Sequence, residues 1–259
     1  MTVSRNTGPF PRQGYIRALR KGFQAVARNI RIGANGVAAS LPPPVRRVLE
    51  APVSYADMLL VDHGIFRLVY LNKHRLSPEA FRAAQPAPHD IRRFARQGVR
   101  TVLNLRGERD CGAYRLERKA CTAAGIELVN FKLFSRALPN KATVKAAAEL
   151  LQTLRYPMAM HCKSGADRVG LMSVLYRHLR QGEPMDVAKR QLSWRFGHFS
   201  SADTGILDAF FESYVAFNRV TPIKFLDWVD QHYHPDEVRA SFRPSGWATL
   251  LVGKVLGRE

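Results

Sequence analysis

Ten consecutive residues, His161-Cys162-Lys163-Ser164-Gly165-Ala166-Asp167-Arg168-Val169-Gly170, set a cysteine and an arginine six positions apart with an acid beside the arginine. A thiolate can attack phosphorus. A guanidinium offers a planar fork of donors that matches two phosphate oxygens at once, which the point charge of a lysine cannot do. Gly165 permits the close backbone approach that a phosphate-sized ring of amides needs, and Gly170 lets a following helix pack against a sheet. His161, just before the cysteine, is placed to orient the loop by hydrogen bonds.

The flanks say how these groups are positioned. The apolar run Pro157-Met158-Ala159-Met160 leads in and Leu171-Met172-Ser173-Val174-Leu175-Tyr176 leads out, so the segment reads as strand, tight loop, helix. A loop entering a helix N-terminus turns its N–H groups inward and gains the positive end of the helix dipole, which makes an anion site. The backbone from Lys163 through Ser164, Gly165 and Ala166 to Val169 is the predicted phosphate cradle. Its N–H dipoles and Arg168 favour the thiolate form of Cys162.

His-Cys, five residues, then Arg resembles the signature loop of the cysteine-dependent protein tyrosine and dual-specificity phosphatases. The resemblance covers about residues 74 to 218, where Phe81-Arg82-Ala83-Ala84-Gln85-Pro86 is similar to the opening strand and turn of bacterial members. It implies a metal-free and cofactor-free mechanism through a phosphocysteine, with Cys162 as nucleophile and Arg168 as the clamp on the equatorial oxygens. Lys163 resembles the His-Cys-Lys loops of lipid phosphatases, including the tensin-type phosphoinositide phosphatases and the mitochondrial phosphatidylglycerophosphate phosphatase. Asp167-Arg168 resembles bacterial dual- and triple-specificity phosphatases and myotubularins, in which an acid within the loop is the candidate proton donor. Residues 134 to 140, where tyrosine phosphatases keep a mobile aspartate, hold no Asp or Glu, which adds weight to Asp167; Asp203 is the reserve. One position departs from the pattern. Val169 stands where most relatives carry the Ser or Thr hydroxyl that helps the thiolate leave, so slow breakdown of the phosphocysteine is expected.

Strand and helix patterns alternate along the rest of the chain and end in a helical run. This predicts an α/β fold, a dual-specificity-phosphatase-like central sheet flanked by helices, with the signature loop at the C-terminal edge of a central strand. Strands are expected at Leu76 to Pro86, Val99 to Leu105 and Ile126 to Leu133. Helices are expected at Tyr55 to Leu71, His89 to Gln97, up to Ala124, Lys141 to Arg155, Arg168 to Arg180, Pro184 to Ser193 and Thr204 to Phe217. The charged turn from Arg106 to Asp110 lies at a strand end where α/β proteins bind ligands. Arg195, His198 and Asp203 fall in a loop between two helices and either face the pocket or, the favoured reading, are surface residues; His232 and His234 read as surface. Cys111 and Cys121 read as packing residues.

Three divisions are expected: a basic amphipathic tail and Pro-rich linker over 1–50, a phosphatase domain over 51–240, and an apolar and basic extension over 241–259. In the first, Ile16, Leu19, Phe23, Val26 and Ile30 recur at spacings of three and four among arginines and lysines. That segment holds nine basic residues against one acidic, and the whole chain carries a formal charge of +19. Such a field favours anionic partners: a phosphorylated lipid or phosphoprotein substrate, and an anionic membrane surface. Nucleic acid is the weaker choice, because no RNA-binding motif or aromatic stacking platform is present. Three cysteines without paired spacing, and no membrane-spanning apolar run, point to the cytoplasm, with peripheral attachment to the inner membrane. The expected substrate is a membrane phospholipid or lipid A-type phosphate. The alternatives are a protein tyrosine/dual-specificity phosphatase and a non-hydrolysing phosphate-binding module, the latter suggested by Val169 and the acid-free loop.

Overall fold

The computed structural model describes residues 52–58 and 71–243. The amphipathic tail, the Pro-rich linker, most of the helix expected at Tyr55 to Leu71 and the stretch from Trp247 to Val255 lie outside the described residues; residues 52–58 are helical.

The described chain is built on a five-stranded sheet in the order β1-β2-β5-β3-β4. Its strands are β1 (His74–Ser77), β2 (Ala80–Ala84), β3 (Thr101–Asn104), β4 (Glu127–Asn130) and β5 (Met158–Cys162). β1 pairs antiparallel with β2, and β2, β5, β3 and β4 run parallel. The one strand expected at Leu76 to Pro86 is therefore two: the end of β1, a turn, and β2 of a hairpin. Between the strands lie α1 (Pro88–Arg96), α2 (Gly112–Ala123) and α3 (Lys141–Thr153); after β5 come α4 (Asp167–Leu175), α5 (Met185–Ala188), α6 (Ile206–Val220), α7 (Phe225–Gln231) and α8 (Pro235–Ser241).

β5 is buried along its whole length, because a central parallel strand is covered on both faces. Its side chains still alternate. Met158, Met160 and Cys162 join the larger core with Val144 and Leu151 of α3, Leu171 and Val174 of α4, and Phe210 and Phe211 of α6. Ala159 faces the other way, into a smaller core with Ile91 and Phe94 of α1 and Cys121 of α2. Cys162 ends its strand directly beside Ala84, the last residue of β2.

The helix expected over Arg168 to Arg180 is two elements, α4 and a π-helical turn at Tyr176–Arg180. The one expected over Pro184 to Ser193 is only α5 and a short 3₁₀ turn, Lys189–Gln191. α7 and α8 were not expected. α7 and the link to α8 bury Phe225, Trp228 and Tyr233 against Phe210 and Tyr214 of α6, with ring centroids 4.8 to 6.1 Å apart, and α8 adds Val238 to the same core. Such aromatic packing is legible only when both partners are in view. Among the described residues no helix is long and apolar enough to cross a membrane.

Candidate active site

Cys162 and the start of α4 are separated by four residues, Lys163 to Ala166, which the chain crosses with Gly165 at φ +74°. A Cβ on Gly165 would lie 2.7 Å from the Ala84 nitrogen and 2.8 Å from the Ala83 carbonyl carbon. Only glycine allows the loop to press this closely on β2. Gly170 serves differently from expectation: its added Cβ would meet Leu192 Cδ2 at 2.6 Å, so it admits the segment after α5 rather than the sheet.

The first helical hydrogen bond of α4 runs from Gly170 N–H to Ala166 O at 2.9 Å, and Ala166, the N-cap, has no side chain that could bond the first turn. The amides of Asp167, Arg168 and Val169 are thus the helix's orphan donors, available to an anion. Arg168 is half-buried, and its Nε is buried with no hydrogen-bond acceptor among the described residues. Val169 contributes its amide alone, since its side chain is in the larger core. Ala166 is buried, Ser164 is half-buried, and Lys163 is largely buried with its carbonyl accepting from Gln85 N–H.

His161 sits on the face of β5 opposite Cys162. Its Nδ1 is 3.4 Å from the Cys162 carbonyl, and its Nε2 lies 2.5 Å from Glu117 Oε1 of α2. Glu117 is fully buried, accepts from Gln85 Nε2 at 2.9 Å, and Gln85 in turn accepts from Arg106 Nη1. Arg106, expected in a ligand-facing turn, is therefore directed into the protein. The same acidic neighbour, after burial itself, pushes the Cys121 thiol up to about 12, in keeping with a packing role.

Two further groups hold the loop. Arg82, wholly buried in the middle of β2, donates from Nη2 to the carbonyls of Gly165 at 3.0 Å and Ala166 at 3.1 Å, and from Nη1 to Gln191 O and Oε1. Asn72 Nδ2 donates to Ser164 O at 3.0 Å and to Phe196 O at 2.9 Å, tying the loop to the segment after α5.

His198 is a correction to the sequence reading, which put it on the surface. It is 1% exposed and lies between two carboxylates, with Nδ1 2.8 Å from Asp167 Oδ1 and Nε2 2.6 Å from Asp208 Oδ2. Burial alone would lower its pKa, but hydrogen bonds and charge from Asp167 and Asp208 outweigh that and raise it to about 9. His198 is thus an imidazolium at neutral pH, with Asp167 as its acceptor. Asp203 is half-buried in the turn before α6, and Arg195 is exposed.

Arg82, Glu117 and His198 were missed as site residues. A signal existed for two of them. Arg82 is a lone charge inside the apolar run Ala80-Phe81-Arg82-Ala83-Ala84, and Glu117 falls on the stripe of α2 that carries Ala113, Tyr114 and Cys121. His198 offered none, because its partners are 31 and 10 positions away on different elements.

The family model described as a DSP-PTPase phosphatase fused to NAD+ kinase matches residues 70–206, which span every strand and the whole signature loop. The chain belongs to the DSP-PTPase phosphatase family. Among curated members, it is 29% identical over 150 residues to the dual specificity protein phosphatase TpbA of Pseudomonas aeruginosa strain UCBPP-PA14, covering 55% of this chain and 60% of that protein. The strain PAO1 counterpart is 28% identical over 141 residues, covering 51% and 57%. The matched region thus spans less than two thirds of these relatives. The crystal structure of P. aeruginosa TpbA superimposes with a TM-score of 0.48 at 22% identity over 61% of this chain and 88% of that one; that of PTPMT1 does so with 0.42 at 19%, over 57% and 99%. In this DSP-PTPase chain the matched span contains the whole stretch from His161 to Gly170.

Proposed function

We propose that this protein hydrolyses phosphate monoesters through a phosphocysteine on Cys162. The observation that carries the reading is the pairing of Cys162, at the end of β5, with a helix N-terminus whose amides and whose Arg168 Nε have no acceptor among the described residues. The thiolate sulfur attacks phosphorus, the bond from phosphorus to the ester oxygen breaks, and the leaving oxygen takes a proton. Water then attacks phosphorus, the S–P bond breaks and inorganic phosphate departs. The Arg168 side chain and the amides of the loop from Lys163 to Val169 hold the equatorial oxygens through both steps.

Asp167 has two competing roles, proton donor and loop anchor. Its pairing with the His198 imidazolium favours the anchor, because in that contact it accepts a hydrogen bond. A poor alkoxide leaving group is then expected to be slow.

For substrate, Lys163 and the excess of basic residues favour a membrane phospholipid or lipid A-type phosphate. A phosphotyrosyl protein is the second reading, favoured by the dual-specificity names of the curated relatives. The test is phosphate release from vesicles containing phosphorylated lipid, from phosphotyrosyl peptides and from a soluble aryl phosphate. Cys162→Ser should abolish release and retain binding, and Arg168→Lys should be severely impaired for want of a bidentate contact. Faster turnover of peptides than of any lipid phosphate would reverse the substrate order. Wild-type-like release by Cys162→Ser would end the mechanism.

A further inference from the structure

Arg82 is a buried charge whose four hydrogen bonds among the described residues all end on neutral carbonyl oxygens: Gly165 O, Ala166 O, Gln191 O and Gln191 Oε1. A guanidinium withdrawn from water without a contact carboxylate is costly, and a fold keeps one only where another anion balances it. Burial lowers its pKa to about 10, and the charges of Cys162 and then Asp167 oppose that fall, so at neutral pH the group remains a cation. Phe196 covers it, with the guanidinium carbon 4.0 Å from the ring centroid. Water is thereby kept from its outer face.

The two bonds to the loop have a geometric consequence. In a tight turn, fixing a carbonyl fixes the orientation of the peptide plane, and so of the N–H on its far side. The Gly165 and Ala166 carbonyls share their planes with the amides of Ala166 and Asp167. With the carbonyls drawn toward Arg82 on the β2 side, those amides are turned away from it.

We propose that Arg82 is a positioning residue of the signature loop, holding the Gly165 and Ala166 peptides with their amides toward the bound phosphoryl group and placing a permanent positive charge beneath the Cys162 thiolate. This rests on the phosphatase reading above and adds to it a second arginine that never touches substrate. Arg168 grips the oxygens from one side, while Arg82 sets the donors that grip them from the other. The β2 strand thus takes part in the site although none of its side chains reaches the substrate.

The experiment compares full-length wild type, Arg82→Lys and Arg82→Met in four readouts: kcat on an aryl phosphate, affinity for orthovanadate, the pH profile of Cys162 alkylation by iodoacetamide, and thermal unfolding. Loss of correctly aimed amides should lower kcat in both variants by about 10²-fold, the scale of one removed oxyanion donor, and weaken vanadate binding in parallel. Arg82→Met should also move the alkylation profile to higher pH. Arg82→Lys should leave it near wild type, because an ammonium keeps the charge but not the fork. If Arg82→Met does not fold, Arg82→Lys decides; if neither folds, Gln191→Ala does, since it removes one acceptor of Nη1 and should weaken vanadate binding about three- to tenfold, the worth of one hydrogen bond. A folded Arg82→Lys, or in its place Gln191→Ala, with wild-type vanadate affinity overturns the proposal, as does a change confined to thermal unfolding. Wild type that binds vanadate but releases no phosphate would instead sink the phosphatase reading, and the alkylation and vanadate data would still judge Arg82.

Discussion

His198 Nδ1 lies 2.8 Å from Asp167 Oδ1, so the first residue of α4 is tied to α6 through a buried imidazole that also contacts Asp208. The signature loop is therefore gripped at its end by a charged bridge, and from the β2 side by Arg82. Both grips rely on residues distant in sequence.

The bridge makes stability depend on pH in a stated direction. His198 has its pKa raised from 6.5 to about 9, so the folded state binds the proton more tightly than the unfolded chain. The contribution is fully present below pH 6.5 and is lost as pH rises through about 9. At full extent it is on the order of 3 kcal/mol. Thermal unfolding between pH 6 and pH 10 should show a fall in wild type that is absent in His198→Gln. Parallel curves for the two proteins would show that the bridge is not the cause.

Asp167→Asn distinguishes anchor from acid. A general acid is worth roughly 10²–10⁴ in rate and matters most for poor leaving groups. As an anchor, Asp167 should on substitution slow aryl and alkyl phosphates by a similar factor, with weaker vanadate binding. A loss confined to the alkyl phosphate would restore the proton-donor role.

Val169 is fully buried in the larger core that Cys162 also joins, and supplies no hydroxyl to the departing thiolate. Rapid mixing of wild type with an aryl phosphate should give a burst of phenol followed by a slower steady rate. Val169→Thr keeps the shape and adds the hydroxyl, so it should raise the steady rate and shrink the burst. Burying that hydroxyl costs about 1–3 kcal/mol if it finds no partner, which thermal unfolding will register. Absence of a burst in wild type would show that the second step is not limiting.

Gly165→Ala should disable the loop. A left-handed backbone costs a non-glycine residue about 1–2 kcal/mol. The added Cβ also meets backbone atoms of Ala83 and Ala84 at 2.7 to 2.8 Å, which cannot move aside as a flexible side chain would. A destabilisation beyond the conformational term alone, together with loss of vanadate binding, is the expected result. Retained vanadate affinity would mean that the loop has room the structure denies it.

What the sequence determined by itself was local. The Cys162-to-Arg168 spacing, the apolar strand before it and the regular helix after it lie within about twenty consecutive residues, and strand alternation, helix periodicity and a loop at a helix N-terminus are properties of neighbours. The α/β order of elements followed from the same short-range patterns. Tertiary structure alone decided which charges serve that loop. Arg82 is 83 positions from Gly165, Glu117 comes to His161 from α2, and His198 comes to Asp167 from 31 positions on. A buried charge finds its partner in space, and no periodicity along the chain encodes that meeting. The same reason hid α7 and α8: their short apolar faces acquire meaning only against the aromatic side of α6, which the sheet and α4 have already placed.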